Sequence, residues 1–203
     1  DVSWTLADVV FTKGPFQDAN ITDTTLTPSS ASTGSRTITA SATTGINNGS
    51  GFLSTDVGRF IHFNDGYGTI TAVGSTTSIT VDVTTAFANT NAITAWHLGS
   101  FSNTTGFPAC VTFFEQRLVF AGTTNQPQTV FFSKSGDYEN MDANIGGTVA
   151  DSDAIIYTIA SNQVNAIRFM TATRTLVIGT AGGEFTVSGG GSDSAITPTN
   201  ILI

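Results

Sequence analysis

The sequence predicts an all-β protein, built as a propeller-like or antiparallel sheet array with an inserted small β-barrel or sandwich module. Two observations support this prediction. Thr, Ser, Gly and Asn are abundant and fifteen Phe dominate the aromatic residues, which suits pleated strands and tight turns. Apolar residues do not recur at helical spacing over any long window, whereas short alternating runs are frequent.

The predicted strands are short and closely spaced, as in all-β domains. The run NDGYG from Asn64 to Gly68 predicts a tight hairpin, because Asp-Gly accepts the positive φ of a primed turn. In chain order, the predicted strands are Arg36–Ala42, Gly58–Asn64, Gly68–Val73, Ser78–Val83, Ala92–Leu98, Val111–Phe114, Arg117–Gly122, Thr129–Lys134, Ala154–Ile159, Val164–Met170, Thr175–Thr180 and Glu184–Ser188.

Strand composition divides the chain into two parts. Residues 29–98 have Thr-rich alternating strands such as SITVDV, whereas later strands are bulkier, such as TVFFSKS. We expect residues 29–98 to form the inserted barrel, and residues 1–28 and 99–203 to form the propeller-like domain. Within the latter, residues 117–141 and 174–191 each combine an Arg, an apolar run, a Gly-Thr turn and a second strand. This pattern favours partial blades.

The charge distribution argues against a nucleic-acid-gripping surface. The net charge is −8, the pI is near 4.3, and the seven Lys and Arg are scattered. Gripping DNA needs a basic stripe, whereas an acidic surface suits solubility or a passage through which DNA slides. We expect no membrane anchor, because no run of about 18 apolar residues occurs. The chain starts at Asp1 and ends on the apolar run TNILI, so we expect a piece of a longer protein.

Residues suited to catalysis or metal binding are sparse. His62 and His97 lie in apolar strand-like runs, and Cys110 lies in the apolar run PACVTFF, where a buried thiol is expected. We therefore predict no catalytic residue, no metal and no cofactor. A hydrolase remains the third-ranked alternative, since paired acids can cleave glycosidic bonds. Its candidates are the close-spaced acids Asp137, Glu139, Asp142, Asp151 and Asp153, although their surroundings read as solvated loops.

Aromatic side chains in the predicted barrel offer a second alternative, because aromatic faces stack on sugar rings. Trp96 and Tyr67 are the possible glycan contacts, with Trp4 and Tyr138 as further aromatic candidates. Trp96 sits among apolar residues, so packing in a core is the competing interpretation. On the glycan hypothesis, the barrel is a receptor- or carbohydrate-binding module.

Three blocks of sequence resemble structural proteins of tailed bacteriophages. Residues 104–141, TTGFPACVTFFEQRLVFAGTTNQPQTVFFSKSGDYENM, contain a Gly-[YF]-Pro-x-x-Val-x-Phe start, a Gln-Arg-Leu-x-Phe-Ala-Gly strand and a Ser-Gly-Asp-Tyr-Glu-Asn turn. With TLVIGTAGGEFTVSGGGSDSAITPTNI at 175–201, this block resembles the tail nozzle, or tail tubular protein B-like, family of short-tailed phages. Residues 54–83 and 92–102 resemble the β-module named FCCH-like after ubiquitin-activating enzymes.

The resemblance implies a non-enzymatic virion protein of the phage tail. Such a protein forms part of the nozzle or tube, as a ring of identical subunits next to other tail proteins, and DNA passes through it without specific recognition. No ubiquitin chemistry is implied, because the surroundings of Cys110 match no catalytic cysteine of that family. Proteins of the nozzle family are several times longer, which agrees with a fragment.

The central block also predicts local contacts. Glu115 and Arg117 lie at a strand start, where they can pair with a neighbouring loop. We expect Leu118 and Phe120 to face Phe131 or Phe132 in a blade core. Asp137 is expected to cap backbone N–H groups of the turn that follows.

Overall fold

A computed structural model describes residue 5 and residues 9–160, 163–191 and 194–203. These residues form antiparallel sheets, which confirms the predicted all-β class. Each predicted strand overlaps an observed one. Helical structure in the described ranges is limited to two 3-10 turns, Asn47–Gly49 and Ser54–Asp56. No helix among them is long and apolar enough to cross a membrane.

The first sheet has six strands and curls into a half-barrel, here called the barrel. Its order is β1-β2-β5-β4-β3-β6, and its ends meet where Leu26 of β1 exchanges backbone hydrogen bonds of 2.9 and 3.0 Å with Ile93, just before β6. The strands are β1 (Leu26–Pro28), β2 (Gly34–Ala40), β3 (Phe60–Phe63), β4 (Gly66–Ser75), β5 (Ser78–Thr85) and β6 (Trp96–Leu98).

Strand β1 was not predicted, and it precedes the expected boundary at residue 29. Only three residues long and ending in Pro28, it carries little strand signal of its own. It pairs with β2 from Leu26↔Ala40 to Pro28↔Ile38, so the sheet starts earlier than the change in composition.

Alternate side chains of the barrel strands point inward and form one core. Their Thr-rich partners point outward, as the period of two requires. The buried members are Leu26, Ile38, Ala40, Ile46, Phe52, Ile61, Phe63, Ile70, Ile79, Val81, Val83, Phe87, Trp96 and Leu98.

The predicted hairpin joins β3 to β4, with its turn shifted by one residue. Asn64 and Asp65 carry the positive φ values, 51° and 62°, and Gly66 is already paired with Phe63. Gly66 serves packing instead, because a Cβ there would collide with the Phe87 ring. Asn and Asp tolerate the left-handed region better than other side chains, so the turn forms without Gly at its centre.

The second part of the chain forms two four-stranded sheets, in which consecutive strands pair along each sheet. Such up-and-down meanders have the form of propeller blades. The first contains β7 (Cys110–Phe114), β8 (Arg117–Ala121), β9 (Thr129–Phe132) and β10 (Ile155–Thr158). The second contains β11 (Ile167–Ala172), β12 (Leu176–Thr180), β13 (Glu184–Gly189) and β14 (Ile201–Leu202).

The two meanders share one core. Side chains from both sheets form it: Cys110, Phe114, Val119, Ala121, Val130, Phe132, Ile155, Ile159, Ile167, Leu176, Ile178, Val187 and Ile196. The expectation that Leu118 and Phe120 oppose Phe131 or Phe132 in this core was wrong. Register pairs Val119 with Phe132 and Phe120 with Phe131, so Val119 and Phe132 face the second meander. Phe120 and Phe131 lie on the opposite face, because alternate residues point to opposite sides.

The chain enters the barrel near Phe16 and leaves it near Gly99, and the barrel is joined to the meanders at these two points. Phe16 and Gly99 form an antiparallel bridge, and the Ser100 N–H donates to the Pro15 carbonyl at 2.8 Å. Arg59 fixes this junction: its Nε–H donates to the Gly99 carbonyl at 2.7 Å and its Nη2 to Gln17 Oε1 at 2.8 Å. These contacts hold the two segments side by side.

Candidate functional site

The acids considered for hydrolysis separate into buried and exposed groups. Asp142 is buried beside Lys13, with Nζ to Oδ2 at 2.8 Å, and its Oδ1 accepts the Asn144 N–H at 3.0 Å. Asp153 is buried beside Lys134 at 2.8 Å, and it accepts the Ala150 N–H at 2.8 Å. Burial acts to raise the pKa of Asp153, but the Ala150 N–H and Lys134 outweigh it and hold that pKa below its usual range. Both carboxylates are occupied in holding loops.

Asp137, Glu139 and Asp151 lie exposed on the surface. The prediction that Asp137 caps backbone N–H groups was wrong, since its carboxylate accepts no hydrogen bond from the described residues. The N–H groups of that turn donate to backbone carbonyls instead, Ser135 to Ser152 at 3.0 Å and Gly136 to Gln116 at 2.8 Å. No group of three or more metal-binding side chains occurs in the described part of the chain.

Glu115 and Arg117 make the loop contacts that the sequence predicted. Arg117 is buried and donates to the carbonyls of Ser133, Asp151 and Asp153, each at 2.7 Å. Glu115 Oε2 accepts the Ile196 N–H at 2.7 Å, which links the two meanders. These contacts are structural, because Arg117 and Glu115 both bind backbone groups of neighbouring loops.

The remaining candidates are also engaged in packing. Cys110 is buried, and burial raises the pKa of its thiol. His62 is buried between Phe16 and His97, with ring centroids at 5.5 and 5.9 Å. Burial, together with the nearby charges of Lys13 and His97, lowers the pKa of His62 to about 4. The imidazole of His62 is therefore neutral and enclosed, which suits packing in the interior better than a role in proton transfer at the surface.

The structure corrects the assignment of Trp96 as a glycan contact. Its side chain is only 3% exposed, in the barrel core, and its indole N–H donates to the Thr24 carbonyl at 2.9 Å. Tyr67 is half-buried, with Lys13 Nζ 4.9 Å from its ring centroid. Trp4 lies outside the described residues. Sugar stacking needs an open aromatic face, which Trp96 lacks and which Lys13 covers on Tyr67.

An open cavity lies at the junction between the barrel and the first meander. Its floor is a triangle of aromatic rings, Phe11, Phe101 and Phe120, whose centroids are 5.8 to 6.1 Å apart. The rings tilt or meet edge to face, as aromatic pairs prefer. Phe131 supports Phe101 from below at 5.0 Å. Four phenylalanine rings therefore pack together at this floor.

The rim of this cavity, here called the junction groove, carries exposed apolar side chains. Val9, Val10 and Phe107 stand on it, and Phe107 is 59% exposed. The groove holds about 680 Å³, and none of the described residues that line it is charged. Val111 and Phe113 continue the apolar surface along β7, on the same face as Phe120. Apolar surface of this kind is typical of a contact with another protein.

Sequence reasoning missed the groove, although the signal was present. Phe11, Phe101 and Phe107 fall outside every predicted strand, and such large aromatic residues are seldom left without a partner. Phe107 also belongs to the Gly-Phe-Pro run at residues 106–108. Gly106, just before it, adopts φ +84°, a backbone conformation that favours glycine.

No protein-family model matches the chain, and no curated protein matches it.

Proposed function

We propose that the chain is a non-enzymatic structural component of a bacteriophage tail, part of the nozzle or tube through which DNA is ejected. On this proposal it belongs to the virion and assembles as a ring of identical subunits that also touches other tail proteins. The observation that carries the proposal is the uncharged, aromatic junction groove, exposed on a chain of net charge −8. An open apolar surface on a rigid β-scaffold serves assembly better than catalysis.

The net charge of −8 supports the proposed role as a conduit for DNA. DNA passing through a conduit must not adhere to its wall, and acidic side chains repel phosphates. The resemblance of residues 104–141 to the nozzle family favours the same role. Local rigidity supports it too, because buried Arg59 and Arg117 fasten loops to both parts of the fold.

The alternative, a receptor- or carbohydrate-binding tail module, has weaker support. It relied on Trp96 and Tyr67, and the first is enclosed in the barrel core. A Trp96→Ala variant would therefore report on barrel folding, whereas Tyr67→Ala tests the sugar contact more directly. Phe169→Ala is the matched control, because Phe169 is an exposed aromatic residue of the second meander and was not a glycan candidate.

Light scattering over a range of concentrations, combined with negative-stain images, tests the proposal. We expect rings with a central channel, and no retardation of duplex DNA on native gels at low salt. The alternative would be established by a monomer that is retained on host surface polysaccharide, if the Tyr67→Ala variant loses this retention and the Phe169→Ala variant keeps it. Immunogold labelling of phage tails with antibodies against this chain tests the virion location separately.

A further inference from the structure

The chain reaches the barrel through a segment that touches both parts of the fold, residues 11–17, here called the strap. On the side of the first meander, the Met141 N–H donates to the Lys13 carbonyl at 2.9 Å. On the side of the barrel, the Gln17 N–H donates to the Leu98 carbonyl at 2.8 Å. The strap therefore ties the barrel to the first meander.

The burial of His62 depends on the strap. In β3, His62 lies between Ile61 and Phe63, whose side chains point into the barrel core, so its own side chain points outward. It is nevertheless only 7% exposed. The Phe16 ring of the strap lies 5.5 Å from the imidazole, between centroids, and the His97 ring lies at 5.9 Å. Lifting the strap uncovers the outer face of β3, and with it the imidazole.

The enclosed site of His62 suits a neutral imidazole. Its Nδ1 is buried and has no hydrogen-bond partner among the described residues. A neutral imidazole can leave this nitrogen without a proton and carry its hydrogen on Nε2, whereas an imidazolium has an N–H on both nitrogens. A buried, charged donor without an acceptor costs free energy. Protonation is therefore opposed while the strap is closed.

Charged and titratable groups from several elements face His62. They are Lys13 of the strap, Asp65 of the β3–β4 turn, Tyr67 of β4, His97 of β6 and Asp142 of the loop between β9 and β10. Burial is the largest cause that lowers the pKa of His62, and the charges of Lys13 and His97 act in the same direction. The two acids act in the opposite direction, but Asp142 is already paired with Lys13 at 2.8 Å. The surroundings thus oppose a positive ring.

We propose that uptake of a proton by His62 detaches the strap from the barrel, while the barrel itself stays folded. This inference goes beyond the proposed function and does not depend on it, because it rests on contacts within one chain. With the strap open, the exposed ring has an ordinary histidine pKa near 6.5, whereas the closed form holds that pKa at about 4. The open form therefore binds more protons between these values, and opening becomes more favourable as pH falls from 6.5 to 4.

Amide hydrogen exchange measured by NMR at pH 7 and pH 5, corrected for the intrinsic exchange rate at each pH, tests the proposal on the full chain. The reporters are the Gln17 N–H and the Ser100 N–H, which donates to the Pro15 carbonyl of the strap at 2.8 Å. The amides of β5 report on the barrel itself. A local opening affects the reporters alone, whereas unfolding of the barrel affects both sets.

Two variants identify the titrating group. His62→Phe keeps an aromatic ring under the strap but cannot take up a proton. His97→Gln is the matched control, because it removes the neighbouring histidine, leaves His62, and retains an amide N–H for the Gln17 carbonyl that His97 Nδ1 contacts at 2.9 Å. Circular dichroism establishes that each variant is folded, and His62→Gln replaces His62→Phe if that variant does not fold.

We expect the protection of both reporters to fall on the order of tenfold from pH 7 to pH 5 in the wild type. The His97→Gln variant should keep a fall of this kind, and His62→Phe should show none. The β5 amides should stay protected throughout. Reporter protection that does not change in the wild type overturns the proposal. So does an equal fall in His62→Phe, which would assign the response to another group, or a parallel fall in β5, which would mean that the whole barrel opens.

A titration of the His62 ring in the wild type tests the same proposal without any substitution. The chemical shift of its Cε1–H should give an apparent pKa below 6.5, because the closed strap opposes the proton. An apparent pKa at or above 6.5 would show that the strap does not oppose protonation, and the proposal would then be wrong.

Discussion

The barrel and the pair of meanders bury their apolar side chains in different ways. The barrel closes on itself through Leu26 and Ile93, and its outward side chains are largely Thr and Ser. The meanders close by facing each other, which covers only one side of each sheet. Their outer faces and loops keep exposed apolar residues: Phe107, Val111, Phe113, Tyr138, Val149, Val164, Phe169 and Leu202. A closed sheet buries its apolar face within one chain, whereas a stacked sheet leaves an outer face on which a further layer can pack.

Each part also contains one fully enclosed arginine, with different partners. Arg59 of the barrel pairs with the buried Asp56 at 3.1 Å and also donates to side chains of Asn47 and Gln17. Arg117 of the first meander donates to backbone carbonyls. Burial lowers the pKa of both guanidinium groups, yet their partners keep them engaged. The comparison predicts unequal costs of removal.

Replacing the barrel arginine should have the largest effect. Arg59→Met leaves Asp56 as a buried charge without its cation, and breaking one side of such a pair costs about 3–5 kcal/mol. Urea unfolding measures this loss. Arg36→Met is the control, because Arg36 donates only to exposed backbone carbonyls of its own loop. Equal losses in the two variants would contradict the role of the buried pair.

Replacing the meander arginine should have a smaller effect. Arg117→Met leaves carbonyls of Ser133 and Asp153 unpaired but strands no charge, so we expect a loss of about 1–3 kcal/mol. Hydrogen exchange should show faster opening of residues 133–153, with the barrel amides unchanged. Faster exchange in the barrel as well would mean that the two parts unfold as one unit.

The histidine at the junction makes barrel stability depend on pH. Unfolded histidine takes up a proton near pH 6.5, whereas burial keeps folded His62 neutral down to about pH 4. Lys13 and His97 also oppose its charge, and Asp142 and Asp65 favour it. The unfolded chain therefore binds more protons in this window, and stability falls as pH drops from 6.5 to 4. We expect a loss on the order of 1–2 kcal/mol.

Unfolding curves for the wild type and His62→Gln, measured at intervals from pH 4 to pH 7.5, isolate this effect. The variant should show a flatter pH dependence, because it lacks the titrating ring. Parallel curves would show that other groups cause the slope.

The smallest effect is expected on the outer face of the first meander. Phe113 is exposed and touches Tyr138 with ring centroids at 5.2 Å. Phe113→Ser should cost no more than about 1 kcal/mol, since the change removes one exposed aromatic contact. Its inward counterpart, Phe132→Ala, should cost about 3–5 kcal/mol in the same assay. A similar loss for both would mean that the outer face is already covered within the chain.

Local pattern predicted the fold well and the longer-range contacts poorly. Alternation located strands such as Ser78–Thr85, since it depends on residues two apart. It did not locate Leu26–Pro28, which becomes a strand only because distant partners β2 and Ile93 lie beside it. The inward face of β8 was misassigned for a related reason, because a strand with Leu, Val and Phe in succession does not reveal which side is core.

The candidate site shows the same limit. The acids and histidines could be found by residue type, but their pairing with Lys13 and Lys134 depends on the fold. Trp96 looked equally suited to a core or a sugar, and only burial decided between them. The sequence shows Phe11 and Phe101 outside every predicted strand, but it does not place them beside Phe120, because the three residues come from separate segments of the chain.

The bridge between Phe16 and Gly99 has a consequence for how such a protein can change over generations. The two ends of the barrel segment stand next to each other. The residues between these ends form one continuous stretch of the chain and therefore of the coding sequence. Its loss, or its exchange for another module with neighbouring ends, would leave the backbone of the meanders where it is. The barrel can therefore be exchanged while the two meanders are retained.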